Sequence, residues 1–240
     1  MSCVCFRHIV AVAVAAVLIT AVGQAQSEAG GDGQPPVIDT QVASKLVVDD
    51  SAPEYPPVAK INFVQGPVVL RVTVGPHGRV ERAHVLQGNA LLAVSALDAV
   101  RRWVYQPLTT ALGPTAFITT VRLKFVLSNW DSSALTPKRA EKDFLRQVKP
   151  PVPISPADPR PDSQTDVVRM RLLIDERGRV VDRDAPSSED LPAQLQACDT
   201  IGGWRFHPAR WGNNPVASYV SVDVPVRTAT DKNSGTSECR

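Results

Sequence analysis

One set of sequence features occurs twice in the chain, the second time about 100 residues after the first. Gly78-Arg79-Val80 recurs as Gly178-Arg179-Val180, and each triplet follows a run of aliphatic residues. A Trp-x-aromatic-x-Pro motif then appears from Trp103 to Pro107 and again from Trp204 to Pro208. This repetition predicts two copies of one small structural unit rather than a single large domain.

The first copy begins with a predicted β-hairpin. Apolar residues alternate with other residues from Val68 to Val74, which is the period of a strand with one buried face. Gly75 to Gly78 has the composition of a tight turn. A second strand is therefore expected from Arg79 to Leu86.

A helix and a last strand complete the first copy. Apolar residues at helical spacing predict a helix from Ala90 to Trp103, with Asn89 as its N-cap. The last strand is predicted from Thr115 to Leu127, with alternate apolar residues from Phe117 facing inward. The residues between them are expected to face outward, among them Ile118, Thr120, Arg122 and Lys124.

The second copy repeats this plan, with a strand over Val168 to Ile174, a helix near Asp190 to Gly203 and a last strand from Val216 to Val226. We therefore predict an α+β protein with two small tandem domains, each a three-stranded antiparallel sheet packed on a helix in β-β-α-β order. The predicted organisation is a signal peptide over 1–25, a flexible leader over 26–52, a first domain over 53–128, a Pro-rich linker over 129–164 with a short helix from Lys138 to Val148, a degenerate second domain over 165–227 and a disordered tail over 228–240.

The N-terminus has the features of an export signal. Arg7 and His8 precede the apolar run Ile9 to Val22, and small residues follow it up to Ala25. As a helix, this run of about 14 residues would rise only about 21 Å, which is less than the roughly 30 Å of a hydrocarbon core. These features predict cleavage after Ala25 and a periplasmic location. The alternative is that the segment stays in the inner membrane as an anchor.

Export would leave two cysteines, Cys198 and Cys239, in an oxidising compartment. Cys198 is in phase with Leu191, Leu195 and Ile201 on the predicted helix, where a free cysteine acts as a small buried hydrophobe. This pattern favours a buried, unpaired Cys198. A disulfide to Cys239, which lies in the polar tail, is the alternative.

Several function classes find no support in the sequence. The 26 basic and 24 acidic residues are interspersed, so no basic stripe points to nucleic acid as a partner. The four histidines show no metal-ligand spacing, and neither a nucleophile elbow nor a glycine-rich phosphate loop is present. We therefore expect a protein that is not an enzyme and that has no catalytic residues, cofactor or metal site.

The first copy resembles the C-terminal domain of TonB-type energy transducers. The resemblance is carried by Tyr55-Pro56-Pro57-Val58-Ala59, Gly66, the alternating strand, Gly78 and the motif from Trp103 to Pro107, and it covers Pro53 to Leu127. The second copy is similar but lacks the Tyr-Pro pair. The resemblance implies a periplasmic domain whose three-stranded sheet leaves an edge for a short extended peptide of an outer-membrane receptor.

The candidate binding edge is the last strand of the first copy. We expect a partner to pair beside Ile118, Thr120, Arg122 and Lys124, and the resemblance places Tyr55 and Pro56 near that partner. Alternatively, Tyr55 and Pro56 fix the chain onto the core, and the two cations protect the edge from unwanted strand association. In the second copy, Pro225 would remove a ladder donor, so the first copy is the expected binding unit.

These observations predict a periplasmic protein-interaction module that captures an extended segment of an envelope partner. One alternative is a TonB-like transducer with an uncleaved membrane anchor. The leader over 26–52, however, lacks the Lys-Pro and Glu-Pro runs typical of transducer spacers. Another alternative is a structural module whose two copies pack together or form a homodimer.

Overall fold

The computed structural model describes residues 34–111, 113–127, 137–155, 165–185 and 191–227. The predicted signal peptide, the predicted tail and Cys239 lie outside these ranges, as do two parts of the predicted linker. The described residues from Pro35 onward belong to one compact unit. No helix within the described ranges is long and apolar enough to cross a membrane.

The N-terminal half of the described chain contains short and long elements in alternation. Its helices are α1 (Thr40–Lys45), α2 (Pro57–Ile61) and α3 (Ala90–Val100). Its strands are β1 (Val47–Asp49), β2 (Gly66–Val74), β3 (Val80–Gln87), β4 (Val104–Tyr105), β5 (Leu108–Thr110), β6 (Gly113–Thr115) and β7 (Phe117–Phe125).

The C-terminal half has a similar series. Its helices are α4 (Pro137–Gln147) and α5 (Leu191–Ile201). Its strands are β8 (Val148–Lys149), β9 (Val152–Ser155), β10 (Thr165–Ile174), β11 (Val180–Asp184), β12 (Arg205–His207), β13 (Ala209–Trp211), β14 (Asn214–Val216) and β15 (Ser218–Arg227).

Two three-stranded antiparallel sheets organise the molecule, and they have the same strand order. The first sheet is ordered β3-β2-β7 and the second β11-β10-β15. The predicted α+β class is confirmed, as are the hairpin, the helix after Asn89 and the helix beginning near Lys138. The Asn89 side chain accepts a hydrogen bond from the Leu91 N–H, so the predicted N-cap is also confirmed. Residues 53–128 and 165–227 are called the first and second modules below.

The glycine that recurs in both modules holds a tight backbone contact. Gly78 has a φ of +77°, and its carbonyl accepts the Tyr105 N–H at 2.7 Å. A Cβ at Gly78 would lie 2.0 Å from the Tyr105 carbonyl oxygen, so no side chain fits there. Gly178 has a φ of +76° and the same contact with Phe206. The contact explains why the glycine turn and the Trp-x-aromatic motif recur together.

Helix α3 is buried on nearly all sides, with nine of its 11 residues in the core. One face packs on the first sheet, whose inward residues include Leu70, Val72 and Phe117. The same core also contains Leu173 and Ala217 of the second module, and α3 contacts β15. A helix that is apolar all round needs cover on more than one side, and here the two modules supply it together.

The predicted flexible leader is wrong over residues 35–49, which are ordered against the first module. Ala43 of α1 is buried in the core, and β1 pairs with β4. The Gln106 N–H donates to the Leu46 carbonyl at 2.6 Å. The leader is ordered because it buries apolar side chains and satisfies the backbone of the Trp-x-aromatic segment.

The predicted Pro-rich spacer is also wrong over residues 148–155. Strand β8 pairs with β13 and β9 pairs with β12, so these residues are part of the second module's structure. Pro153 lies opposite Phe206 in β9, a strand that has no second neighbour among the described residues. An edge position tolerates the missing N–H of proline, which lets an extended Pro-rich segment join a sheet.

The expected unpaired state of Cys198 is wrong. The residue is buried in the second core, as predicted, but it is disulfide-bonded. The other three cysteines lie outside the described residues. Burial and pairing are compatible, because a cysteine can pack among apolar side chains and still take part in a disulfide bond.

Candidate sheet-edge binding site

Strand β7 lies at one edge of the first sheet. It pairs with β2 along its whole length, from Phe117 opposite Val74 to Phe125 opposite Gly66. Its apolar residues Phe117, Val121 and Phe125 face the core, as the alternation predicted. Arg122 and Lys124 are exposed on the opposite face, whereas Ile118, also predicted to face outward, is only 8% exposed.

The first part of this edge is covered by the chain's own leader. Val37 forms a parallel bridge with Ile118. The Ile38 N–H donates to the Ile118 carbonyl, and the Ile118 N–H donates to the Pro36 carbonyl, both at 2.8 Å. The Thr40 hydroxyl donates to the Thr120 carbonyl at 3.1 Å. Residues 36–40, called the strap below, therefore bond to both backbone groups of the predicted site residue Ile118 and to the carbonyl of Thr120.

The later part of the edge remains open among the described residues. Every second residue of a strand directs its backbone groups to the same side, so Arg122 and Lys124 face the side that the strap covers at Ile118. No residue in the described ranges pairs with the chain there. The Gln65 side chain accepts the Leu127 N–H at 3.4 Å and marks the far end. Residues 121–126 are called the open edge below.

Tyr55 joins the end of the open edge to α2. Its hydroxyl donates to the Val64 carbonyl at 2.7 Å, and its ring meets the Phe125 ring edge-on at 5.5 Å. The Lys60 ammonium lies 5.8 Å from the Tyr55 ring centre, and burial raises the pKa of the phenol. Pro56 precedes α2 and accepts the Lys60 N–H on its carbonyl. Both residues thus anchor the chain beside Phe125.

The opposite edge of the first sheet, strand β3, lies against β11 of the second module. The Asp182 carboxylate accepts the Val85 N–H at 2.8 Å and lies 3.0 Å from His84 Nδ1. The Arg101 guanidinium donates to the Val181 carbonyl at 2.9 Å. Individual side-chain hydrogen bonds, rather than a continuous ladder, therefore join β3 and Arg101 to β11.

The six predicted site residues lie on β7 and in the segment before α2, but the sequence did not reveal the strap that covers two of them. The only signal was Pro35-Pro36-Val37-Ile38, a short extended apolar run whose partner strand lies about 80 residues away. Asp182 was also missed, because its carboxylate acts across a module boundary that no local pattern describes. Among the described residues, no group of three or more His, Cys, Asp or Glu side chains could hold a metal ion.

Residues 51–127 match the family model described as the Gram-negative bacterial TonB protein C-terminal. This part of the chain is a TonB C-terminal domain. The match includes the Tyr-Pro pair, the first sheet and α3, whereas the strap and Asp182 lie outside it. No protein with a curated description matches the chain.

TonB C-terminal domains are interaction domains of the bacterial envelope. The family is non-enzymatic, its functions relate to transport, and its members interact with outer-membrane proteins. The match stops at residue 127, so the second module lies outside it. That module nevertheless has the same strand order and the same glycine-to-aromatic contact as the TonB C-terminal domain.

Proposed function

We propose that the TonB C-terminal domain captures an extended segment of an outer-membrane or other envelope protein by pairing it with the open edge. The observation that carries this proposal is the strap. The same strand already accepts an extended segment, residues 36–38, in a parallel bridge at Ile118. A partner segment would continue this pairing alongside Arg122 and Lys124.

Main-chain hydrogen bonds would supply the affinity of such a complex. The backbone groups of Arg122 and Lys124 need partners, and an added strand satisfies them without new side-chain packing. The hydrogen bond from the Val85 N–H to Asp182 supports β7 as the binding edge, because the second module already occupies part of the opposite edge of the same sheet.

Each predicted site residue has a role in this proposal. Arg122 and Lys124 border the partner directly, while Tyr55 and Pro56 hold the chain at the end of the open edge. Ile118 and Thr120 bind the strap in the free protein. A partner segment that is longer than the open edge would reach them only by displacing the strap.

We further propose that the protein acts in the periplasm and that the second module is a diverged second copy. The shared strand order and the paired glycine contacts support the duplication. In this proposal the second module covers α3 and lies against β3, so it supports the first module without taking part in capture.

Photo-crosslinking in live cells tests the proposal. A benzophenone amino acid at Lys124 is expected to form an adduct with an outer-membrane or other envelope protein, identified by mass spectrometry. The same amino acid at Lys142, an exposed position on α4, serves as the control. If Lys124 gives the same adducts as Lys142, the edge does not capture a partner.

A purely structural role is the second candidate, and the shared core favours it, because the two modules bury α3 between them. A structural role does not require the open edge to bind a partner. It predicts that Arg122→Pro, which removes one N–H from the open edge, leaves every cellular phenotype of the protein unchanged, whereas partner capture predicts that this change resembles a deletion of the gene.

A further inference from the structure

Three cations form a cluster on the outer face of the first sheet. Arg122 and Lys124 follow each other on this face of β7, and Arg71 lies on the same face of the central strand β2. Thr120 pairs with Arg71 and Arg122 pairs with Val69, so Arg71 and Arg122 are diagonal neighbours about 7 Å apart. All three side chains are exposed. Within the described ranges, none of them forms an ion pair.

Edge protection explains only part of this cluster. Cations on β7 would discourage strand association, but Arg71 lies on the central strand, which has a neighbour on each side. Like charges at this spacing repel each other, so the cluster costs free energy in the isolated protein. An anionic partner would remove this cost.

We infer that the segment captured at the open edge is acidic and carries carboxylates at alternate positions, an inference that rests on the function proposed above. In an added strand, alternate side chains lie about 7 Å apart on one face. This spacing matches Arg122 and Lys124, which are themselves two residues apart on one face of β7. A partner with the pattern acidic-x-acidic would therefore place one carboxylate beside each cation.

The intervening residue of the pattern is apolar. It would lie on the inward face of the added strand, next to Leu123, which is half-buried and packs against the first core. Arg71 would add a third contact from the neighbouring strand, because an arginine side chain can reach across the sheet face. The partner is thus a short extended protein segment with alternating acidic and apolar residues.

Peptide binding to the full chain tests this inference. A fluorescent Glu-Val-Glu-Val-Glu-Val peptide is expected to bind about tenfold more tightly than Gln-Val-Gln-Val-Gln-Val at low salt, measured by fluorescence anisotropy. The advantage should shrink as salt is added, because the ion pairs are exposed.

Two double variants identify the site. Arg122→Glu with Lys124→Glu should abolish the preference for the acidic peptide. Lys138→Glu with Lys142→Glu, which makes the same change in net charge on the exposed face of α4, should keep it. Thermal melts of both variants check that the fold is retained.

The possible outcomes distinguish a failure of the acidic-partner inference from a failure of edge capture. Equal binding of the Glu and Gln peptides, lost in the Arg122–Lys124 variant, would overturn the acidic partner and leave edge capture standing. Binding of neither peptide would count against edge capture itself. A preference for the acidic peptide that both double variants lose alike would place the recognition elsewhere on the molecule.

Discussion

Thr119 places a polar group in an apolar core. The residue is 1% exposed, faces inward from β7 opposite Val72, and its hydroxyl has no hydrogen-bond partner among the described residues. Replacing it with valine keeps the shape and removes an unsatisfied group, so Thr119→Val should raise the free energy of unfolding by about 1 kcal/mol. Urea denaturation measures this change. Thr109→Val, at an exposed position, should have little effect, and a lower stability of Thr119→Val would contradict the buried hydroxyl.

Tyr105 and Tyr219 make the stability of the protein fall at high pH. Burial, together with the negative charge of Asp50, raises the pKa of Tyr105 to about 12. Burial also raises the pKa of Tyr219 to about 12, with Arg171 opposing and Asp182 adding to the effect. An unfolded tyrosine has a pKa of about 10. The folded state therefore holds the neutral phenol more strongly than the unfolded chain does.

The sign of the pH dependence follows from these raised pKa values. For Tyr105 the stabilisation is about 3 kcal/mol. It is fully present below pH 10 and is lost as the pH rises from 10 through about 12. Ultraviolet titration of tyrosinate should show two of the three tyrosines ionising near pH 12. Tyr105→Phe and Tyr219→Phe should each remove one of them. Ionisation of Tyr105 near pH 10 in the folded protein would contradict its burial.

Residue patterns predicted the long strands and helices well, because each is long enough to contain several repeats of the strand or helix period. Strand β7 and helix α3 were found from alternation and helical spacing alone. Strands β1 and β9 were missed, since a segment of three or four residues has no measurable period and its partner lies far along the chain. The strap belongs to the same class, because its pairing at Ile118 depends on tertiary packing rather than on local propensity.

The strap controls access to one end of β7. Ile38→Pro removes the N–H that donates to the Ile118 carbonyl, so this variant should release residues 36–38 from the edge. Hydrogen exchange at the Ile118 amide, whose acceptor is the Pro36 carbonyl, should become faster. Val37→Ala, which changes a side chain that is 78% exposed but keeps the backbone, should leave this exchange rate near that of the natural protein. Unchanged exchange in Ile38→Pro would show that the strap does not protect the edge.

At the level of the whole molecule, the two modules share one core around α3. Sequence periodicity predicted two units, but it could not predict that α3 would serve both, because the burial of its second face depends on residues more than 70 positions away. The near absence of polar residues in α3 was the only feature of the sequence that indicated burial on more than one face. The ordered leader and linker were missed for a similar reason, since both are short segments whose partner strands lie far along the chain.

Asp182 should be the most sensitive polar residue at the junction of the modules. Asp182→Ala leaves the Val85 N–H and His84 without their acceptor in a nearly buried position, so it should lower the free energy of unfolding by about 1–3 kcal/mol. Asp184→Ala removes an exposed partner of Arg171 and should cost well under 1 kcal/mol. Urea denaturation of both variants measures the difference. Equal effects would mean that the junction contributes no more than an exposed ion pair.

Amide hydrogen exchange of the full chain, with and without the Glu-Val peptide, shows directly whether β7 captures an extended segment. We expect exchange to slow at the Arg122 and Lys124 amides, whose N–H groups face the open edge, while the Val85 amide, already bonded to Asp182, changes little. Protection that appears on another surface, with Arg122 and Lys124 unchanged in the presence of bound peptide, would contradict capture at the edge of β7.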